Sequence, residues 1–275
     1  MTDTSDFENM EREGWGTPSV AKGYADGFEM ATHLVAEKLA DAVGAKPNFE
    51  VLDLCTGHGV VAKELVTRGA NVTGLDFSEP MISLAKSSAP NATFVQGDAM
   101  ATGFSNESFD AVTIGFGIPH FPDASRGLVE AARVLKTGGK IAFSIWHGKG
   151  SNGSFGWLYD AVGRLADPSI ALPAGPDAHA LVDLEVAKEM VENAGFTDVK
   201  LIEVSSEVSL PSSDALFDLF DRGAVRTASL LSRQPISNRD AIRSDLAMRT
   251  RSEGTKQEQG YLVPAPSVVV SAVRT

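Results

Sequence analysis

Apolar residues fall into two alternating patterns along the first half of the chain. Phe28, Ala31, Val35, Leu39 and Ala42 recur at helical spacing in a stretch that begins at Ser19, and Gly44 and Pro47 stop the run. Residues 1–17, ahead of it, read as a loose polar arm. Five strand-length runs follow: Glu50 to Leu54, Asn71 to Leu75, Thr93 to Gln96, Phe109 to Ile114 and Lys140 to Trp146. Helical stretches stand between them. One runs from Val60 to about Arg68, another from Met81 to Ser88. A third is capped by Asp123, turns Leu128, Ala132 and Leu135 inward, and ends at Gly138-Gly139. Strand and helix alternating at short intervals predict a parallel sheet with right-handed crossovers and helices on both faces.

The second half is less regular. Residues 148–182 are rich in Gly, Pro and Ser and read as a long connection holding one short helix around Trp157 to Leu165. Glu185 to Ala194 is helical, Gly195 ends it, and Asp198 to Val204 is a strand. Residues 206–256 carry helical patterns without strong strands, and Tyr261 to Val273 reads as a last strand broken by Pro264 and Pro266. The expected organisation is a single domain over 1–275. It comprises an N-terminal helical segment (1–44), a ligand-binding core (45–147), a connection with a helix and a strand (148–205), a helical substrate cap (206–256) and the last strand (257–275).

Bulk properties narrow the classes. With 275 residues, 43% hydrophobic and 22% charged, the chain can bury a sizeable core. Its net charge of −12 would repel a polyanion, and no run of Lys and Arg supplies a basic groove, so nucleic acid is not expected as a partner. The acidic start resembles no signal peptide, and the longest apolar runs, such as Ser267 to Val273, are strand-sized, so no membrane span and a cytoplasmic location are expected. Cys55 is the only cysteine, which excludes an intramolecular disulfide and argues against a Cys-based metal site. A homodimer is compatible with all of this, and oligomeric state is left open.

Ligands of open parallel sheets bind beyond the carboxyl ends of the strands, where strand order reverses. Three signals fall at such ends. The first is Val51-Leu52-Asp53-Leu54-Cys55-Thr56-Gly57-His58-Gly59, whose glycines let the backbone turn sharply and approach a ligand. The second is Asp76, where a carboxylate can accept hydrogen bonds from ribose hydroxyls. The third is Gly97-Asp98-Ala99, where a carboxylate beside a free N–H can read an adenine edge. Taken singly, Asp53 fits a satisfied core carboxylate, Gly57 and Gly59 a plain turn, and Asp76 and Asp98 helix caps; taken jointly they describe a nucleoside site. Gly57-x-Gly59-x-x-Ala62 also fits the loose dinucleotide fingerprint, but Asp53 inside the first strand speaks against a nicotinamide enzyme.

Leu52-Asp53-x-x-x-Gly57-x-Gly59 resembles the first motif of class I S-adenosylmethionine-dependent methyltransferases. Val72 to Ser78 followed by Met81 is similar to their ribose-binding segment. Phe109 to Gly117 resembles the fourth-strand segment, particularly of the ubiquinone/menaquinone C-methyltransferase (type 11) group, and Ala132 to Lys140 the stretch before the fifth strand. The likeness covers residues 50–146 in order. It departs at Thr56 and His58, where members more often carry Gly and Thr or Ser.

The resemblance implies a Rossmann-like α/β fold, with a doubly wound seven-stranded sheet that is mostly parallel and has an antiparallel last strand. It implies S-adenosylmethionine as donor, S-adenosylhomocysteine as product, and a small, partly apolar methyl acceptor such as a phenol, quinol, polyketide or lipid-like metabolite. By the same resemblance Asp53 orients the turn and reaches the cofactor's amino group, directly or through water, and Gly57 and Gly59 pass under the methionine portion. Asp76 holds the ribose, Phe77 and Met81 flank the adenine, Asp98 and Ala99 read its edge, and Gly115 offers a carbonyl to the ammonium. Tyr24 is a candidate for the carboxylate. His120 and His147, each just past a sheet strand, are candidate general bases, because histidine is the side chain suited to taking a proton near neutral pH. Two rivals stay open: a nicotinamide-dependent oxidoreductase, and a cofactor-retaining cyclase or binding protein that transfers no methyl group.

Overall fold

The computed structural model describes residues 4–275. In chain order the elements are α1 (Ser5–Trp15), α2 (Pro18–Val43), β1 (Glu50–Leu54), α3 (Val60–Thr67), β2 (Asn71–Asp76), α4 (Glu79–Ser88), β3 (Thr93–Gln96), β4 (Phe109–Ile114), α5 (Ala124–Val134), β5 (Leu135–Trp146), α6 (Ser154–Leu165), α7 (Leu184–Asn193), β6 (Phe196–Val204), β7 (Glu207–Leu210), α8 (Ala215–Gly223), α9 (Val225–Ser232), α10 (Ile236–Glu253), β8 (Thr255–Lys256), β9 (Tyr261–Pro264) and β10 (Ser267–Arg274). They gather into two compact units. One comprises residues 32–145, 176–204 and 267–275; the other comprises, among the described residues, the remaining segments, 4–31, 146–175 and 205–266.

The first unit holds a seven-stranded sheet in the order β3-β2-β1-β4-β5-β10-β6. The pairs β2–β3, β1–β2, β1–β4 and β4–β5 are parallel, and β10 runs antiparallel to β6. Helices α3, α4 and α5 supply the crossovers β1 to β2, β2 to β3 and β4 to β5, whereas β3 reaches β4 through residues 97–108 without a helix. β1 and β4 are buried almost throughout and read as apolar runs, while the edge strands β3 and β6 are largely exposed. Strand order reverses between β1 and β4: β2 and β3 lie to one side of β1, and β4 begins the other. A ligand crevice of an open α/β sheet belongs at that point.

The second unit is mostly helical and carries a small antiparallel sheet, β7-β9-β8. Six aromatic rings form its centre. Trp15 meets Tyr24 edge-on at 5.4 Å, Tyr24 lies 5.1 Å from Phe28, and Phe28, Trp146, Phe155 and Phe220 pack together at 5.0 to 6.4 Å. The first turns of α2 can approach α8 closely because they present Gly23 and Gly27. A Cβ on Gly23 would stand 2.7 Å from the Arg222 carbonyl oxygen, and one on Gly27 would stand 2.2 Å from Leu219 Cδ1.

Four local expectations are corrected. The polar arm, whose residues 1–3 lie outside the described residues, is helical from Ser5 to Trp15: Phe7, Glu11 and Trp15 recur at four-residue spacing and are buried, and the Trp15 indole N–H donates to Glu11 Oε2. Helix α5 stops at Val134, not at Gly138-Gly139, and β5 begins at Leu135, with Gly138 in the left-handed region inside it at φ 77°. Residues 206–256, expected to carry helical patterns without strong strands, start with the strand β7 before α8, α9 and α10 and end in β8. The stretch Tyr261 to Val273 is two strands in two sheets. Pro264 and Pro266 lack the N–H a ladder needs, so the chain leaves the β7–β9 pairing there and joins the large sheet from Ser267.

Candidate functional site

At the reversal point the backbone makes the same unusual move twice. Cys55 follows β1 and Phe116 lies two residues beyond β4, and both adopt left-handed conformations, at φ 52° and 57°, although neither is a glycine. Such residues cost free energy, persist only where their surroundings hold them, and cluster at functional sites. Here the holding groups are visible. The Phe116 N–H donates to Ser144 Oγ at 3.0 Å, and both residues are buried. Gly117 is pressed against the other left-handed residue: a Cβ there would stand 2.5 Å from Cys55 Cβ.

The turn after β1 is fixed from several sides. The Thr56 N–H donates to the Leu75 carbonyl at 3.0 Å, and the Gly59 N–H to the Thr56 carbonyl at 2.9 Å. The Gly57 N–H donates to Asp76 Oδ2 at 2.9 Å, and the other carboxylate oxygen, Asp76 Oδ1, accepts the Ser78 N–H at 2.9 Å. Gly57 and Gly59 are left-handed, at φ 53° and 83°. They differ in what lies above them. A Cβ on Gly59 would collide with α4, 2.9 Å from Ala85 Cα. One on Gly57 would meet nothing closer than the Cys55 carbonyl oxygen at 3.9 Å, so the chain leaves open space over that peptide. Glycine is needed at 59 for packing and at 57 for backbone conformation beneath an open cradle.

Three carboxylates surround the turn in different states of satisfaction. Asp53 is fully buried; its Oδ2 accepts the Thr56 hydroxyl at 2.6 Å and its Oδ1 the Thr113 hydroxyl at 2.7 Å. Burial pushes its pKa up to about 6; the bonds from Thr56 and Thr113 and from the Ala62 N–H oppose that rise, and the charge of Asp76 adds to it. Asp76 is also raised by burial, against the N–H groups of Ser78 and Gly57 and the opposite charge of His120. Asp98 Oδ1 accepts the Met100 N–H at 2.8 Å and closes its own turn. The Cys55 thiol stands among Asp76, Asp53 and Asp98; burial first, and then those charges, lift its pKa well above the usual range, so it is a protonated thiol at neutral pH.

The large-sheet unit therefore brings together Asp53, Gly57, Gly59, Asp76, Asp98, Gly115 and His120. Ala99 and the Met81 side chain are buried in the same unit, the Met81 N–H donating to Ser78 Oγ at 3.2 Å, and the half-buried Phe77 accepts the Gln96 amide on its carbonyl at 2.9 Å. His120 closes a 3₁₀ turn, Ile118–His120, directly past β4. Tyr24 and His147 belong to the other unit. Burial raises the Tyr24 phenol pKa, a hydrogen bond with Trp146 opposing it, and the His147 N–H donates to the Pro266 carbonyl at 3.0 Å.

Sequence reasoning missed Thr113 and Ser144. Both are fully buried hydroxyls within the buried apolar stretches of β4 and β5, residues 111–114 and 141–146. That is the signal that could have found them: a polar side chain in a buried parallel strand needs a partner, and here each partner is a site element.

A methyltransferase-domain family model matches residues 52–143, the stretch from β1 into β5. The demethylmenaquinone methyltransferase of Renibacterium salmoninarum is 33% identical over 171 residues, which span 58% of this chain and 72% of that protein. The chain belongs to the class I S-adenosylmethionine-dependent methyltransferases. Solved structures with the same fold include a phosphoethanolamine N-methyltransferase of Haemonchus contortus in complex with S-adenosyl-L-methionine, at TM-score 0.59 and 20% identity over 98% of this chain and 60% of that one. Another, from Bacillus halodurans and described as a methyltransferase, aligns at TM-score 0.55 and 22% identity over 86% of this chain and 97% of its own. This methyltransferase uses S-adenosylmethionine and acts on a small molecule. No helix among its described residues is long and apolar enough to cross a membrane.

Proposed function

We propose that this methyltransferase binds S-adenosylmethionine over the Thr56–Gly59 turn and methylates a reduced quinone-type ring bearing an apolar substituent. The observation that carries the cofactor position is Gly57, a left-handed peptide under open space whose N–H is fixed by the carboxylate ending β2. The acceptor class rests on the kinship with demethylmenaquinone methyltransferases.

In this reading Asp76 accepts the ribose hydroxyls with the lone pairs that the N–H groups of Gly57, Ser78 and Phe77 leave free. Phe77 and Met81 form the walls for the adenine, and Asp98 with the Ala99 N–H meets its polar edge. Gly115 turns a carbonyl toward the methionine ammonium. Asp53 acts on the turn, since both of its oxygens already accept hydroxyl donors.

The cofactor supplies a methyl group already activated by its sulfonium, so the chain's contribution is alignment and exclusion of water. His120 takes the proton of a ring hydroxyl. The oxygen's electron pair would then enrich the ring, and a ring carbon would take the methyl as its bond to the sulfonium sulfur breaks and S-adenosylhomocysteine leaves. Loss of that carbon's hydrogen as a proton would restore aromaticity.

Incubating the purified protein with methyl-labelled S-adenosylmethionine and a panel of reduced demethylated naphthoquinones, simple phenols, polyketides and lipid-like metabolites tests the acceptor. Label on the quinol carbon is expected. Label found only on another class overturns the acceptor half, and failure to bind S-adenosylmethionine in a calorimetric titration overturns the cofactor half.

A further inference from the structure

Asp53 lies at the centre of a chain of side chains that joins two strands to the turn. Thr113 comes from the interior of β4, Asp53 from the interior of β1 directly beside it in register, and Thr56 from the turn itself. All three are buried: Asp53 and Thr113 fully, Thr56 to 4% exposed. Each carboxylate oxygen takes one hydroxyl, and the Ala62 N–H at the start of α3 adds a further donor. Thr56 is wedged from behind as well, because a Cβ on Gly74 of β2 would stand 2.8 Å from its Oγ1. The turn thus has two anchors of different kinds: Asp76 grips its backbone at Gly57, and Asp53 grips its side chain at Thr56.

We propose that Thr56 is a positioning residue of the cofactor site: bonded to an Asp53 carboxylate that Thr113 holds in place, it keeps the Gly57 peptide preformed for S-adenosylmethionine. The inference rests on the cofactor position given above and assigns to Thr56, Asp53 and Thr113 a role distinct from touching the ligand. A hydroxyl can donate to a carboxylate or accept from a carboxylic acid, but the carboxylate accepts from both threonines at once, whereas a protonated Asp53 must turn one of its two bonds around. Protonation removes the charge assistance from both bonds and reverses one of them, so the clamp is tightest when Asp53 is ionised and cofactor affinity falls as Asp53 gains its proton near pH 6. The titratable groups facing the clamp are Asp76, whose charge acts on Asp53 directly, the Cys55 thiol next along the chain, and, acting through those two, His120 and Asp98.

The test is a calorimetric titration of S-adenosylmethionine, from pH 5 to 8.5, into the wild-type chain and the Thr56→Val, Thr56→Ser and Thr113→Val variants. Valine keeps the shape of threonine and removes the hydroxyl; serine keeps the hydroxyl. Thr56→Val is expected to weaken binding about 10- to 100-fold at pH 7.5, as for the loss of one hydrogen bond to a charged group. It should also move the acid limb of affinity upward by about one pH unit, because the ionised carboxylate has lost a donor. Thr56→Ser should restore both to near wild type, and Thr113→Val should show the same upward limb shift from the other oxygen. A residue that only supports the fold would lower stability without moving the limb.

Wild-type affinity and limb in Thr56→Val overturn the proposal while leaving the cofactor position standing. If Thr56→Val does not fold, Thr113→Val carries the decision: a shifted limb supports the clamp and an unshifted one ends it. Absence of binding by the wild-type chain would instead overturn the cofactor position itself.

Discussion

Asp76 reaches back across nineteen residues of sequence to take the Gly57 N–H at 2.9 Å, tying the end of β2 to the turn after β1. One carboxylate thereby sets the turn, and in the proposed site it also meets the ribose. Charge-assisted hydrogen bonds are each worth ~1.5–3 kcal/mol. Asp76→Ala is expected to weaken S-adenosylmethionine binding by about 10- to 100-fold or more in a chain that remains folded by circular dichroism. Unchanged affinity in calorimetry would remove Asp76 from the site.

Asp53 leads to a prediction about stability whose sign differs from that of most carboxylates. Its pKa rises on folding from 3.8 to about 6, so the folded chain holds the proton more tightly than the unfolded one. Its contribution to stability is complete below about 4 and is lost as the pH rises through 6. Above pH 7 the buried charge costs the cofactor-free protein on the order of 3 kcal/mol. In Asp53→Asn, whose amide is neutral at every pH, that cost disappears. Denaturant unfolding at pH 5 and pH 8 should show the variant gaining about 1.4 kcal/mol on wild type between the two conditions, the remainder of the cost being already present at pH 5. Identical pH dependence in both chains would show that Asp53 does not titrate in this window.

The close approach of α2 to α8 makes a graded prediction. Ala is the better helix former by about 1 kcal/mol, so an exposed Gly→Ala change on a helix would stabilise. At Gly23 the new methyl would stand 2.7 Å from the Arg222 carbonyl oxygen, and backbone cannot swing aside. At Gly27 it would meet the end of the Leu219 side chain, which can rotate. Gly23→Ala is expected to lose ~1–3 kcal/mol through overpacking, and Gly27→Ala clearly less. Thermal unfolding of the two variants decides, and equal or reversed losses would contradict the packing described.

Ser144 supplies the acceptor for the Phe116 N–H, and both residues are buried. Ser144→Ala removes the hydroxyl that the N–H of the left-handed Phe116 bonds to, at a cost of ~1–3 kcal/mol. Chemical denaturation should register that loss. Ser144→Thr, which keeps the hydroxyl, should recover part of it.

What could be read from sequence followed from locality. The strand ends, the two glycines, Asp76 and Asp98 were legible because their meaning depends on a neighbouring turn or on a spacing of about twenty residues. The partners of Asp53 were not: Thr113 lies sixty residues away and meets it only through the β1–β4 pairing. Helix α1 hid because it is anchored by just Phe7 and Trp15 among polar residues, with Glu11 buried by a bond to Trp15 that no apolar pattern signals. The prolines at 264 and 266 were legible as a break, but not as a change of sheet, because the choice of pairing partner is set by distant strands.

His120 gives the last prediction. It closes the 3₁₀ turn past β4 and lies near enough to Asp76 to act electrostatically on its carboxylate. A base there can take a ring-hydroxyl proton as the methyl arrives, and such help is typically worth ~10²–10⁴ in rate. His120→Ala should lower kcat on the quinol acceptor by about that factor. Affinity for S-adenosylmethionine should change little, since the Gly57 and Ser78 bonds to Asp76 do not pass through His120. His120→Gln separates the two ways in which the histidine could matter. Glutamine keeps a polar side chain of similar reach but cannot accept the proton, so a kcat as low as that of the alanine variant marks proton transfer. A kcat near wild type in His120→Gln would mean that the histidine only lines the site, and alignment of donor and acceptor would then be the whole of the chain's contribution.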